Sequence, residues 1–209
     1  EFQLPIVQDS FIKELSFEGG YRYSHYSTGI NTDTYKLALT FAPVSDVKFR
    51  ASYNRAVRAP NVQDLFAPVR VALNGNSDPC TEADANQAQC ALTGAGINYP
   101  VAGNPAGQYN GLIGGNANLR PEKSTTKTIG VVFTPSFLRG FSATIDAYDI
   151  KVTSLISTYG QDVTIQQCLD TADPTFCSLI HRDATGSLWR SSNGYIEDLN
   201  RNIGGVKTR

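Results

Sequence analysis

The chain has 209 residues, 18 Gly, 10 Pro and a formal net charge of −1. That length suffices for one domain or two small ones, and basic residues this dispersed leave no electrostatic footprint for nucleic acid. Tyr and Phe number 10 each against one Trp and no Met, and they gather in segments of high β propensity, so the class is all-β.

No stretch offers the roughly 18–20 continuous apolar residues of a membrane helix, whereas a barrel strand needs only about 9–11 residues with one apolar face. The opening EFQLPIVQDS lacks the basic and apolar regions of a secretory signal. Either a signal has been removed or the chain starts within a longer protein.

After a short turn at about 8–11, the odd positions from Phe11 to Tyr26 read Phe11, Lys13, Leu15, Phe17, Gly19, Tyr21 and Tyr23. The even ones read Glu14, Ser16, Glu18, Gly20, Arg22 and Ser24. Sustained alternation predicts a strand with one apolar and one charged face. Following STGINTD, residues 34–42 alternate again, with Tyr35, Leu37, Leu39 and Phe41 on one face. A tight turn at 43–46 leads to Val47, Phe49, Ala51 and Tyr53 opposite Lys48, Arg50, Ser52 and Asn54.

Periodicity then stops over 57–122, where Pro60, Pro68, Pro79, Pro100, Pro105 and Pro121 break helix and strand alike. It resumes near Lys123 with Ile129, Val131 and Phe133, turns at 135–140 and continues with Phe141, Ala143 and Ile145. The apolar set then shifts to Tyr148, Ile150 and Val152, so a β-bulge is expected near Asp146–Tyr148. A second long loop spans about 157–192, in which TIQQCLD and DPTFCSLI can each form a short helix. Asp173 would be the N-cap of the second and Pro174 its first residue. A last strand is expected from Tyr195 onward.

The four cysteines form two close pairs, Cys80/Cys90 and Cys168/Cys177. Of the three possible connectivities the two local disulfides are expected, because they close short loops and fit an exported location. The competing zinc reading lacks CxxC spacing, and the only histidines are His25 and His181. Short turns at about 8–11, 43–46 and 135–140 alternate with connections at 28–33, 57–122 and 157–192. Outer-membrane barrels have that asymmetry, with short periplasmic turns and long outer loops. Tyr21, Tyr23, Tyr35 and Tyr53 fall near the long-loop ends, where an interfacial aromatic girdle would sit.

YNRAVRAPNVQDLF at 53–66 and NLRPEKSTTKTIGV at 118–131 resemble the segments of TonB-dependent receptors that leave and re-join the barrel around a long loop. YRYSHYS, FSATIDAYDIKVTSLIS and RNIGGVKTR are further similar segments in the same order. The resemblance implies an antiparallel up-and-down transmembrane β-barrel segment with long extracellular loops carrying short helices. It would supply about seven strands of a 22-stranded barrel, with 1–209 a partial barrel domain lacking the plug and remaining strands. It further implies a bacterial outer-membrane receptor without enzymatic activity or cofactor, importing a scarce nutrient. The implied partners are outer-membrane lipid, TonB, the plug domain and a siderophore, cobalamin or oligosaccharide. The alternative is a secreted all-β binding module or hydrolase domain; a passive porin or autotransporter fits the alternation but not the two motif segments.

Arg58, Asp64, Arg120 and Glu122 are the expected loop-mouth charges, with Glu122 paired to Arg58 or Arg55. The competing reading is solvated rim charges worth under about 1 kcal/mol each. Glu14, Glu18, Arg22, Lys36, Lys48 and Arg50 are read as lining a wet lumen. Tyr99, Tyr109, Asn110 and Asn116 are ligand-contact candidates from composition, since binding residues concentrate on loops. Asp146 and Asp149 have no nearby histidine or serine and are not read as a catalytic pair. GLIGGNANL lacks the lysine and helix of a phosphate loop.

Overall fold

The computed structural model describes residues 1–76, 78–82, 84, 86–96 and 100–209. The strands in chain order are β1 (Phe2–Gln8), β2 (Glu14–His25), β3 (Asn31–Val44), β4 (Val47–Arg58), β5 (Arg70–Gly75), β6 (Tyr109–Gly114), β7 (Glu122–Phe133), β8 (Ala143–Ser157), β9 (Ile180–His181), β10 (Tyr195–Leu199) and β11 (Arg201–Thr208). The helices are α1 (Val62–Phe66), α2 (Gln87–Leu92), α3 (Gln161–Thr171) and α4 (Pro174–Cys177). The chain divides into a strand unit, residues 1–60, 120–155 and 202–209, and a loop unit, residues 61–119 and 156–201.

The strand unit is a seven-stranded sheet in the order β1-β2-β3-β4-β7-β8-β11. The pairings from β1 through β8 are antiparallel. Register carries the sequence alternation across the sheet. One row runs Leu4, Phe17, Leu39, Ala51, Ile129, Ala147, and the next Val7, Leu15, Phe41, Phe49, Val131, Ile145. These side chains share one face, on which Ile129 is 64% and Ile145 73% exposed.

Toward the long-loop ends the same face turns aromatic. Tyr21 pairs with Tyr35, and Leu37 with Tyr53; the Tyr35 and Tyr53 rings stack at 5.9 Å. The connections at the other end are short. In the first, Asp9 has positive φ and forms an ion pair with Lys13. Asp46 in the second accepts hydrogen bonds from the amide and hydroxyl of Ser136 in the third, both at 3.1 Å.

The expected bulge near Asp146–Tyr148 is absent. β7 and β8 pair without interruption from Lys123↔Thr153 to Phe133↔Ala143. Tyr148 faces Thr128, Ile150 faces Thr126 and Val152 faces Ser124, which places these apolar residues on the polar face. A hydrophobic side chain costs little on a wet face, so its parity alone does not demand a bulge. The last strand is corrected too: Tyr195–Leu199 belongs to the loop unit, and the closing strand of the large sheet starts at Arg201.

The loop unit holds a four-stranded sheet in the order β5-β6-β10-β9. β5–β6 and β10–β9 pair antiparallel, and β6–β10 parallel. Its core contains Cys80, Cys90, Ala95, Val101, Tyr109, Ile165, Cys168, Leu169, Ile180, Leu188 and Ile196. α3 and α4 form where the sequence suggested short helices, with the Asp173 carboxylate capping the Thr175 amide and Pro174 opening the turn. No helix among the described residues is long and apolar enough to cross a membrane, which says nothing of strands.

Candidate functional site

The polar face of the strand unit is organised by ion pairs between strands. Glu18 accepts from Lys36, and Glu14 lies 2.9 Å from Lys48. Arg50 on β4 reaches Asp146 on β8, with Nε–Oδ1 at 3.0 Å and Nη2–Oδ2 at 2.6 Å. Gly130 on the intervening strand is the register partner of both. A Cβ there would fall 1.9 Å from Asp146 Oδ1, so the missing side chain opens the passage for the pair. Ser52 and Thr128 share a hydrogen bond of 2.7 Å on the same face.

Asp146 and Asp149 differ in parity and therefore point to opposite faces. Asp149 accepts from Arg209 at 2.9 Å and lies 3.3 Å from Lys207. An acid/base pair would require both carboxylates on one side.

At the ends of β4 and β7, Arg58 and Glu122 form a two-pronged pair, Nε–Oε2 2.6 Å and Nη2–Oε1 2.9 Å. Arg55 lies over the Tyr35 ring at 5.9 Å. Arg120 is held through its backbone, since Asn202 accepts from its amide and donates to its carbonyl, both at 2.8 Å. In the loop unit Asp64 closes a capping box on α1: its amide donates to Asn61 Oδ1 at 2.7 Å, and its carboxylate accepts from the Asn61 amide at 3.0 Å. The Asn-x-x-Asp spacing of Asn61 and Asp64 is the sequence signal for this helix start.

Of the ligand-contact candidates, Tyr109, Asn110 and Asn116 are hydrogen-bonded within the loop unit. Tyr109 is 1% exposed, and its hydroxyl donates to Asp162 at 2.6 Å. Burial, then this carboxylate, push its phenol well above the ordinary range. Asn110 is buried and donates to the carbonyls of Ser191 and Gly194 at 2.9 and 2.8 Å. Asn116 donates to the Asn200 carbonyl and accepts from the Asn118 amide, both at 2.9 Å. Tyr99 lies outside the described residues. A cleft of about 470 Å³ in this unit is lined by Gln63, Asp64, Arg70, Ile113, Asp198 and Asn200.

Two disulfides, Cys80–Cys90 and Cys168–Cys177, brace the same core. Arg182 and Asp78 are paired within it, a contact that sequence offered no spacing to find. Nearby, burial pushes the Asp183 carboxyl up, but hydrogen bonds from Thr185, Ser187 and Ser191 outweigh burial and hold it below the usual range. Among the described residues no group of His, Cys, Asp and Glu could hold a metal.

A family described as "TonB dependent receptor-like, beta-barrel" matches residues 7–209. No curated protein matches the chain. Solved structures of similar fold include a ferric enterobactin receptor variant from Pseudomonas aeruginosa in complex with enterobactin. It is 15% identical with a TM-score of 0.56, over 93% of this chain and 21% of that one. A siderophore receptor from Pseudomonas aeruginosa has 15% identity and a TM-score of 0.52, over 92% and 26%. One from Acinetobacter baumannii has 14% and 0.55, over 93% and 22%. The chain thus spans between a fifth and about a quarter of those receptors' length, and the likeness is one of fold. With the matched segment running almost from end to end, the chain belongs to the TonB dependent receptor-like β-barrel family.

Proposed function

We propose that this chain forms part of the barrel wall and outer loops of a bacterial outer-membrane receptor, which captures a scarce nutrient and imports it with energy relayed by TonB. The observation that carries the reading is the opposition of the two sheet faces. Rows of Leu, Phe, Ile and Val stand exposed on one side, and the Arg50–Asp146 and Lys36–Glu18 pairs occupy the other. An apolar outer band with a polar interior is what a closed transmembrane barrel requires. In this reading the seven strands are a partial barrel domain, closed in the intact protein by further strands around a plug.

A siderophore is the favoured class of cargo, because the solved structures of similar fold are siderophore receptors by description. The loop unit would meet it first, with the cleft beside Asp64, Arg70 and Asn200 as the candidate contact surface. Asp64, Arg58, Arg120 and Glu122 would fix the loop mouth. The test is growth of a strain whose only receptor is the intact protein, supplied with iron as one ferric siderophore at a time. Growth on a ferric siderophore that stops on TonB deletion is expected. Growth restored only by cobalamin or an oligosaccharide would reassign the cargo, and a detergent-free, monodisperse monomer would overturn the membrane reading.

A further inference from the structure

At the long-loop end of the strand unit, Arg55, Arg120 and Lys123 line one cleft of about 240 Å³ together with Asp33, Val57 and Pro121. None of the three cations forms an ion pair among the described residues. Among the described lining residues Asp33 is the one carboxylate, and it accepts from the Tyr21 hydroxyl at 2.5 Å. The cleft is therefore net positive. It is also held in shape, because Asn202 clips the Arg120 backbone and donates to the Ser154 carbonyl at 2.9 Å.

The position of this charge distinguishes it from the ion-paired polar face. Val57 pairs with Lys123, and Arg55 is in the row of Tyr35 and Tyr21; by register Val57, Lys123 and Arg55 belong to the apolar face, and Arg120 lies just ahead of β7 in the same cleft lining. From Val57 to Tyr53 the strand advances about 13 Å at roughly 3.3 Å per residue, and beyond Tyr53 the aligned apolar rows begin with that of Leu39, Ala51 and Ile129. Solvated lysines and arginines there would gain nothing from aligned apolar rows below them. A molecule with an anionic head and an alkyl tail complements both.

We propose that the Arg55–Arg120–Lys123 cleft binds the phosphate headgroup of a membrane lipid in the leaflet on the long-loop side, its chains lying along the Leu39–Ala51–Ile129 face. Arg supplies paired donors matched to phosphate oxygens, and Lys a mobile point charge. Basic clusters beside a membrane span favour anionic lipids. The inference rests on the membrane reading above, but concerns a site separate from cargo capture.

The intact protein, purified in detergent, is titrated with short-chain phosphatidate or phosphatidylcholine, and bound lipid is read by native mass spectrometry. Wild type should retain phosphatidate selectively. The triple variant R55Q/R120Q/K123Q should bind it at least about tenfold more weakly, while Arg139→Gln, at the opposite end of the sheet, should not. Equal retention by wild type and triple variant overturns the proposal, as does displacement of the lipid by millimolar inorganic phosphate, which would mark a free-anion site. If the triple variant does not fold, the single variants Arg120→Gln and Lys123→Gln carry the same comparison. Solubility without detergent would instead defeat the membrane reading, and is seen before any lipid is added.

Discussion

Arg182 and Asp78, 104 positions apart, meet in a two-pronged ion pair with Nη1–Oδ2 at 2.6 Å and Nη2–Oδ1 at 3.0 Å. Their side chains are 1% and 7% exposed. The guanidinium also donates to the Thr93 hydroxyl at 2.8 Å and the Gly186 carbonyl at 3.0 Å, so its desolvation is offset on several sides. Removing one partner strands the other: Asp78→Ala should destabilise the loop unit by about 3–5 kcal/mol. Hydrogen exchange on the intact protein should show protection lost around Ile165 and Ile196 but retained in β2–β4.

Apolar and polar faces of the sheet should respond oppositely to charge. Ile129→Lys places a cation among the exposed apolar rows and should impair insertion by about 2–4 kcal/mol at membrane mid-depth. Its neighbour Thr128, hydrogen-bonded to Ser52 on the polar face, should accept lysine with little change. Folding yield into phosphatidylcholine vesicles, followed by the heat-dependent shift in gel mobility, measures both.

Tyr109 predicts an alkaline limit for the loop unit. Its folded-state pKa lies above the unfolded value through burial and the Asp162 bond, so its contribution is intact below about pH 10, the ordinary phenol value. It is lost as pH rises further. Tyr109→Phe should cost about 1 kcal/mol at neutral pH for the missing hydrogen bond and flatten the loss of protection above pH about 10. Hydrogen exchange or limited proteolysis across that range reads the difference.

Gly130→Ala should evict the Asp146 carboxylate, because the added Cβ would stand 1.9 Å from its Oδ1. The pair with Arg50 is partly exposed, so the loss should stay below about 1 kcal/mol. In combination with Asp146→Ala the glycine substitution should cost less than it does alone, a double-mutant cycle that denaturant titration of the refolded protein can close.

The alternating strands were legible because register preserves sequence parity: Leu15, Phe41, Phe49 and Val131 line up as their odd positions require. Parity failed at Tyr148, Ile150 and Val152, where apolar residues stand on the polar face. The loop unit was scarcely legible. β9 has 2 residues and β10 has 5, too short for a period to register, and β10 takes one of its two partners, β6, from the other loop. Its contacts, Arg182 with Asp78 and Tyr109 with Asp162, span long sequence distances without a local pattern. Its cysteines were readable from spacing, and α4 from the Asp173–Pro174 start. At the mouth, sequence left Arg58 or Arg55 as the partner of Glu122 and the strand register selects Arg58, whereas the cleft shared by Arg55, Arg120 and Lys123 needed the folded backbone.

The parallel pairing of β6 with β10 has a bearing on the order of assembly. β6 precedes the β7–β8 hairpin and β10 follows it, so a nascent chain presents β6 long before its neighbour exists. Throughout that interval Asn110, Gly111 and Leu112 have only β5 to pair with. Cys80–Cys90, at a separation of 10, needs nothing from the second loop, and Cys168–Cys177, at 9, needs nothing from the first. Each half can thus be tied while it waits, and protection of Ile196 from exchange would time the moment when the halves join.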